Sequence, residues 1–127
     1  MRFGYAFSTL AGLSLAALPA AAFAHGSMKP MHGGIVTMTG ETVVELVRAP
    51  QGVDIYITEE DEPLAASGFD GKLTVSTAGS KAETPLAAQA GNHMAAPGLA
   101  IPAGSKVVVA LTAKDTGAKT LASFAID

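Results

Sequence analysis

The amino-acid sequence predicts an all-β protein: an antiparallel β-sandwich of about seven or eight short strands, of immunoglobulin-like or cupredoxin-like size. Three observations lead there. Beyond Gly34, Val, Ile and Thr gather in short runs, and Gly, Pro or Asp turn signals interrupt them about every eight to twelve residues. One run alternates strictly between apolar and polar residues. No stretch after Gly34 keeps the period of an amphipathic helix.

The elements follow in order. Ile35-Val36-Thr37-Met38 is a short β-branched strand closed by Gly40, with Met38 as a core gap-filler. Thr42 to Arg48 is rich in Val and stops at Pro50-Gln51-Gly52. Val53-Asp54-Ile55-Tyr56-Ile57-Thr58 alternates, with Val53, Ile55 and Ile57 on one face. These two runs and their Pro/Gly turn read as a hairpin. Glu59-Glu60-Asp61-Glu62-Pro63 is an acidic turn left in water, because adjacent like charges are costly to bury. It lacks the spaced oxygen ligands and the glycine of a calcium loop. Leu73 to Thr77 is a strand after an Asp70-Gly71 turn, and Ala82 to Ala88 is a weaker one. Residues 88–104, rich in Ala, Gly and Pro, read as a loop with Asn92-His93-Met94 in its middle. Lys106 to Thr112 is the strongest strand signal, and Lys119 to Ile126 pairs with it across Asp115-Thr116-Gly117.

Ahead of these strands, Met1 to Ala24 has the build of a secretory signal. Arg2 precedes an apolar run from Leu10 to Ala22, and Ala22-Phe23-Ala24 forms a small-x-small cleavage site. The apolar run is shorter than the roughly 20 residues of a membrane span. Cleavage after Ala24 predicts a periplasmic chain with no membrane insertion. It consists of an arm over residues 25–34 and a single β domain over 35–127, a size that suits one core.

Composition excludes several classes of function. The net charge is −3, and no basic run is present, which argues against nucleic acid as a partner. With Tyr at two positions and Trp absent, an aromatic platform for sugars or unstacked bases is lacking. Cysteine is absent, so thiolate metal sites, thiol catalysis and disulfides are out, and the core alone must hold the fold. No Gly-x-Ser-x-Gly, His-Glu-x-x-His or phosphate-binding glycine loop occurs. The chain reads as a non-enzyme. A copper oxidase built on an N-terminal histidine is the remaining enzymatic option. A mildly acidic chain with a free edge strand also permits a dimer.

The candidate chemistry sits in the arm, His25-Gly26-Ser27-Met28-Lys29-Pro30-Met31-His32-Gly33-Gly34. A free His25 offers its α-amine and ring Nδ1 to one ion, and a second imidazole from His32, or from His93, completes a nitrogen set suited to Cu(II). Met28 and Met31 supply soft thioethers that favour Cu(I). His93-Met94 forms a smaller second cluster. The metal candidates are therefore His25, Met28, Met31, His32, His93 and Met94, with copper as the expected ion.

The succession His32-Gly33-Gly34, Glu45-Leu46-Val47 and Val53 to Thr58, followed by the acidic turn and Pro63, resembles small periplasmic proteins and domains that accompany heavy-metal efflux systems of the RND type. The resemblance continues through Leu73-Thr74-Val75, Thr84-Pro85-Leu86 and Ala122-Ser123-Phe124, and so covers about residues 32–125. It implies that His32 is the shared functional position, and that a metal-efflux adaptor or a copper-accepting envelope protein is the partner. Related sequences often carry a histidine in the turn after the Tyr-bearing strand, where this chain has Glu59-Glu60-Asp61-Glu62, and an aromatic or histidine near Thr42-Val43. A looser similarity, in residue type and compartment, is to periplasmic copper carriers. The expectation is a copper-binding accessory protein for buffering, delivery or efflux. The alternative is a metal-independent protein-binding module that docks on an efflux adaptor or another envelope partner.

Overall fold

The computed structural model describes residues 28–127; the expected secretory signal over 1–24 and the candidate ligand His25 lie outside the described residues. The chain forms β1 (Ile35–Thr39), β2 (Thr42–Ala49), β3 (Gly52–Glu59), β4 (Glu62–Pro63), β5 (Phe69–Thr77), β6 (Ser80–Ala88), β7 (His93–Pro97), β8 (Lys106–Ala113) and β9 (Lys119–Ala125), with one 3₁₀ turn at Ala66–Gly68. Every strand pairing is antiparallel. Among the described residues no helix is long and apolar enough to cross a membrane.

Neighbouring strands run β1-β2-β3-β7-β6-β5-β8-β9, with β4 folded back on β3. The path curls until its two ends meet. There the Thr37 hydroxyl donates to the Ser123 carbonyl at 2.7 Å, and the Thr39 hydroxyl donates to the Leu121 carbonyl at 2.9 Å. Two side chains thus stitch β1 to β9, where a backbone ladder would otherwise close the sheet. The all-β antiparallel architecture is the one that the alternating runs predict.

Inside lies one apolar cluster. The inward residues of β3 are Val53, Ile55 and Ile57, which the alternation places on one face. They meet Val44 and Leu46 of β2, Leu73 of β5, Val107, Val109 and Leu111 of β8, and Phe124 of β9. Burying each large aliphatic side chain is worth about 1.5–3 kcal/mol. A cysteine-free domain is held by this term.

Two expectations fail, for related reasons. His93 to Pro97 is a strand and not the middle of a loop, inserted between β3 and β6. Met94, Ala95 and Ala96 have little β-branched character of their own, and pairing with β3 makes them extended. Asp70-Gly71 is not a turn but lies inside β5. A Cβ at Gly71 would stand 2.9 Å from the Met94 methyl and 3.1 Å from the Leu86 Cβ. The glycine is there to admit the Met94 side chain to the core.

Candidate functional site

Strand alternation also creates an outer face, which on β3 carries Asp54, Tyr56 and Thr58, and on β2 and β7 sets Glu45 and His93 among apolar residues. Register places Glu45 opposite Tyr56, and Tyr56 opposite His93, so the three form one row across three strands. Asp54, two residues before Tyr56, lies on the same face. The arm crosses this row.

Glu45 is the centre of the arrangement, with its side chain only 5% exposed. Its Oε1 accepts from the Met31 N–H at 3.0 Å and faces His32 Nδ1 at 3.0 Å. Its Oε2 accepts from the His32 N–H at 2.8 Å and the Gly34 N–H at 3.0 Å. Burial by itself pushes this carboxyl up. The Gly34 N–H, the His32 ring and the N–H groups of His32 and Met31 outweigh it and hold the group below its ordinary value. Glu45 is therefore ionised at neutral pH and can only accept, so His32 directs an Nδ1–H at it, and in the neutral form of the ring the lone pair is on Nε2.

The glycine pair has a physical reason. Gly33 has φ +75°, a left-handed conformation that favours glycine. Gly34 lies so close to β2 that a Cβ would overlap the Leu46 carbonyl and come within 2.9 Å of the Val47 side chain. The arm reaches Glu45 because both positions lack a side chain.

His32 stacks on Tyr56 with ring centroids 3.5 Å apart and planes within 5° of parallel. His93 stacks on the same tyrosine at 4.8 Å and 10°. Strand order puts Glu45, with its histidine, and His93 on opposite neighbours of Tyr56, so the tyrosine ring stands between the two imidazoles. Burial, and then the carboxylates of Asp54 and Glu45, push the Tyr56 phenol up and keep it neutral. His93 is anchored separately, its Nε2 lying 2.6 Å from Asp54 Oδ1.

The predicted ligands are thus distributed unevenly. Met28 and Met31 stand on the same arm as His32 and are 50% and 76% exposed. His93 is on the far side of Tyr56, whereas two imidazoles on one ion need nitrogens within about 4 Å of each other. Met94 is buried in the core at 1% exposure, on the face of β7 opposite His93. Met38 is half-buried on β1. Among the described residues, no three His, Asp or Glu side chains converge as a metal-binding group.

A cavity of about 250 Å³ opens between the arm and this face; Met31, His32, Val43, Glu45, Tyr56 and Asp61 contribute to its lining. Asp61 belongs to the tight turn joining β3 to β4, in which Glu60 and Asp61 have φ of 50° and 65°. Non-glycine residues in that region cost about 1–2 kcal/mol each. The acidic turn is a strained hairpin beside the cavity.

Sequence reasoning missed Glu45, Asp54 and Tyr56 as partners of the histidines. One signal was present: a lone carboxylate within the apolar run Val43-Val44-Glu45-Leu46-Val47. A charged residue placed there is buried only if something pairs with it.

Comparison with protein-family models, with curated proteins and with solved structures finds no match.

Proposed function

We propose that this chain is a periplasmic copper-binding accessory protein that buffers copper, or hands it to an efflux or other envelope partner, without catalysis. The observation that carries the reading is His32 itself. Its Nδ1 is committed to a buried carboxylate, its Nε2 is left available, and two exposed thioethers lie on the same short arm. Metal-ligating histidines ordinarily have their second nitrogen held by such a carboxylate, which fixes the tautomer and raises the basicity of the donor. The thioethers of Met28 and Met31 with His32 Nε2 suit Cu(I). The same Nε2 with the amine and ring of a free His25 suits Cu(II). Neither set draws on His93 or Met94.

Copper titration of the secreted protein, followed through Tyr56 emission, tests the reading. Tyr56 is stacked on His32 and is the one tyrosine beyond the signal segment. One copper per chain is expected to quench it with sub-micromolar affinity, and His32→Ala is expected to weaken binding by at least about 30-fold, the loss of about 2 kcal/mol. His93→Ala is expected to change it by less than about threefold. Unchanged affinity after combined His25→Ala and His32→Ala substitution overturns the assignment. It would turn attention to a metal-independent module that binds an envelope partner.

A further inference from the structure

We infer that Met28 and Met31 are the peroxide-reactive modification sites of this protein, and that their oxidation to sulfoxide switches the arm from a soft-metal site to a nitrogen-only one. The second half of this inference rests on the copper reading above; the first does not.

Among the described residues the methionines differ sharply in exposure. Met94 is 1% exposed, with its sulfur against Gly71 inside the core. Met38 is half-buried on β1. Met28 and Met31 stand 50% and 76% in solvent. An apolar side chain that exposed does not serve the packing of the fold. The Met31 position is also maintained, because its backbone N–H is bound to Glu45, three residues before the close approach of Gly34 to β2. Met31 contributes to the lining of the cavity while most of the residue stays in solvent.

The chemistry needs only a peroxide. The thioether sulfur attacks one oxygen of hydrogen peroxide and the O–O bond breaks. The oxygen stays on sulfur, which loses two electrons, while the second oxygen leaves as hydroxide and takes the remaining proton to become water. The product is a polar, chiral sulfoxide whose exposed donor is a hard oxygen. Cu(I) favours soft donors and loses its thioethers, whereas the nitrogen donors for Cu(II) are untouched. Sulfoxide reductases return the thioether, each acting on one epimer.

The test treats the purified secreted chain, its N-terminus at His25 checked by mass, with graded hydrogen peroxide, maps oxidation by peptide mass spectrometry, and then measures Cu(I) and Cu(II) binding by competition with chelators. Met28 and Met31 are expected to oxidise at least about tenfold faster than Met94, as their exposure dictates. Cu(I) affinity should fall by at least about tenfold, Cu(II) affinity should change by less than about threefold, and treatment with both reductases should restore Cu(I) binding. In Met28→Leu/Met31→Leu, peroxide should no longer alter metal binding. Oxidation of Met94 as fast as Met31 overturns the assignment of the sites. Selective oxidation with unchanged Cu(I) affinity overturns the switch. A chain that oxidises selectively but binds no Cu(I) even when reduced establishes the modification sites and rejects both the switch and the Cu(I) part of the function.

Discussion

The two histidine–carboxylate pairs flanking Tyr56 are chemically alike and structurally different. In the His32–Glu45 pair the carboxylate is 5% exposed and bonds three backbone N–H groups besides the ring. In the His93–Asp54 pair both side chains are more than a fifth exposed and a single contact joins them. The first pair commits Nδ1, the second Nε2. The first holds down a segment of chain that has no strand partner of its own. The second orients a ring already placed by β7. A carboxylate in one case builds the site and in the other trims it.

That contrast predicts unequal sensitivity to mutation. Glu45→Ala has the largest expected effect, about 2–4 kcal/mol of stability. It removes a buried, fully bonded carboxylate and deprives Met31, His32 and Gly34 of their acceptor. Denaturant unfolding measures the loss, and hydrogen exchange should show it concentrated at residues 31–34. If protection there is unchanged, Glu45 does not hold the arm.

Gly34→Ala breaks the same pair without touching either ionisable group. The added Cβ meets the Leu46 carbonyl, and overpacking of this kind costs about 1–3 kcal/mol. The arm should lift, and Tyr56 should lose its contact with His32 while retaining that with His93. Ring-current shifts of the two imidazoles distinguish these outcomes.

Acid should discriminate next. The Glu45 carboxyl is held below its ordinary value of 4.5 in the folded protein. Its contribution is therefore fully present above that value and is lost as the pH falls from there through the lowered folded value. The metal-free protein should lose Tm steeply below about pH 4.5, and Glu45→Gln should lose much less over the same interval. Parallel curves for the two proteins would place the acid sensitivity elsewhere.

Asp54→Asn is expected to have the smallest effect, below about 1 kcal/mol, because the pair is partly solvated. Its consequence should be chemical. In the parent protein, nitrogen-15 spectra should show His93 protonated on Nε2 and His32 on Nδ1. The substitution should release the His93 preference and leave that of His32 intact.

The fold was largely legible because β alternation is a local signal. Val53, Ile55 and Ile57 announce a buried face by spacing alone, and Pro50-Gln51-Gly52 and Asp115-Thr116-Gly117 mark turns by their own backbone preferences. The exceptions are segments whose conformation is imposed by neighbours. Gly71 resembles a turn residue in isolation and is a packing residue in β5; Met94 resembles a loop residue and is core. The site was legible only in part. The arm's histidine and methionines stand out by density, whereas Glu45 lies 13 residues beyond His32, and nothing local joins them.

By itself, then, the sequence determined the strand segments, the apolar faces and the presence of soft donors in the arm, since each depends on residues a few positions apart. Tertiary structure decided the rest. It set β7 between β3 and β6, carried Met94 away from His93, and put the Tyr56 ring between the two imidazoles. It also brought a lone glutamate under an arm that only two successive glycines allow to approach. The physical reason is that pairing and register join residues far apart in the chain, and a side chain's partners across a sheet are not encoded in the spacing of its own strand.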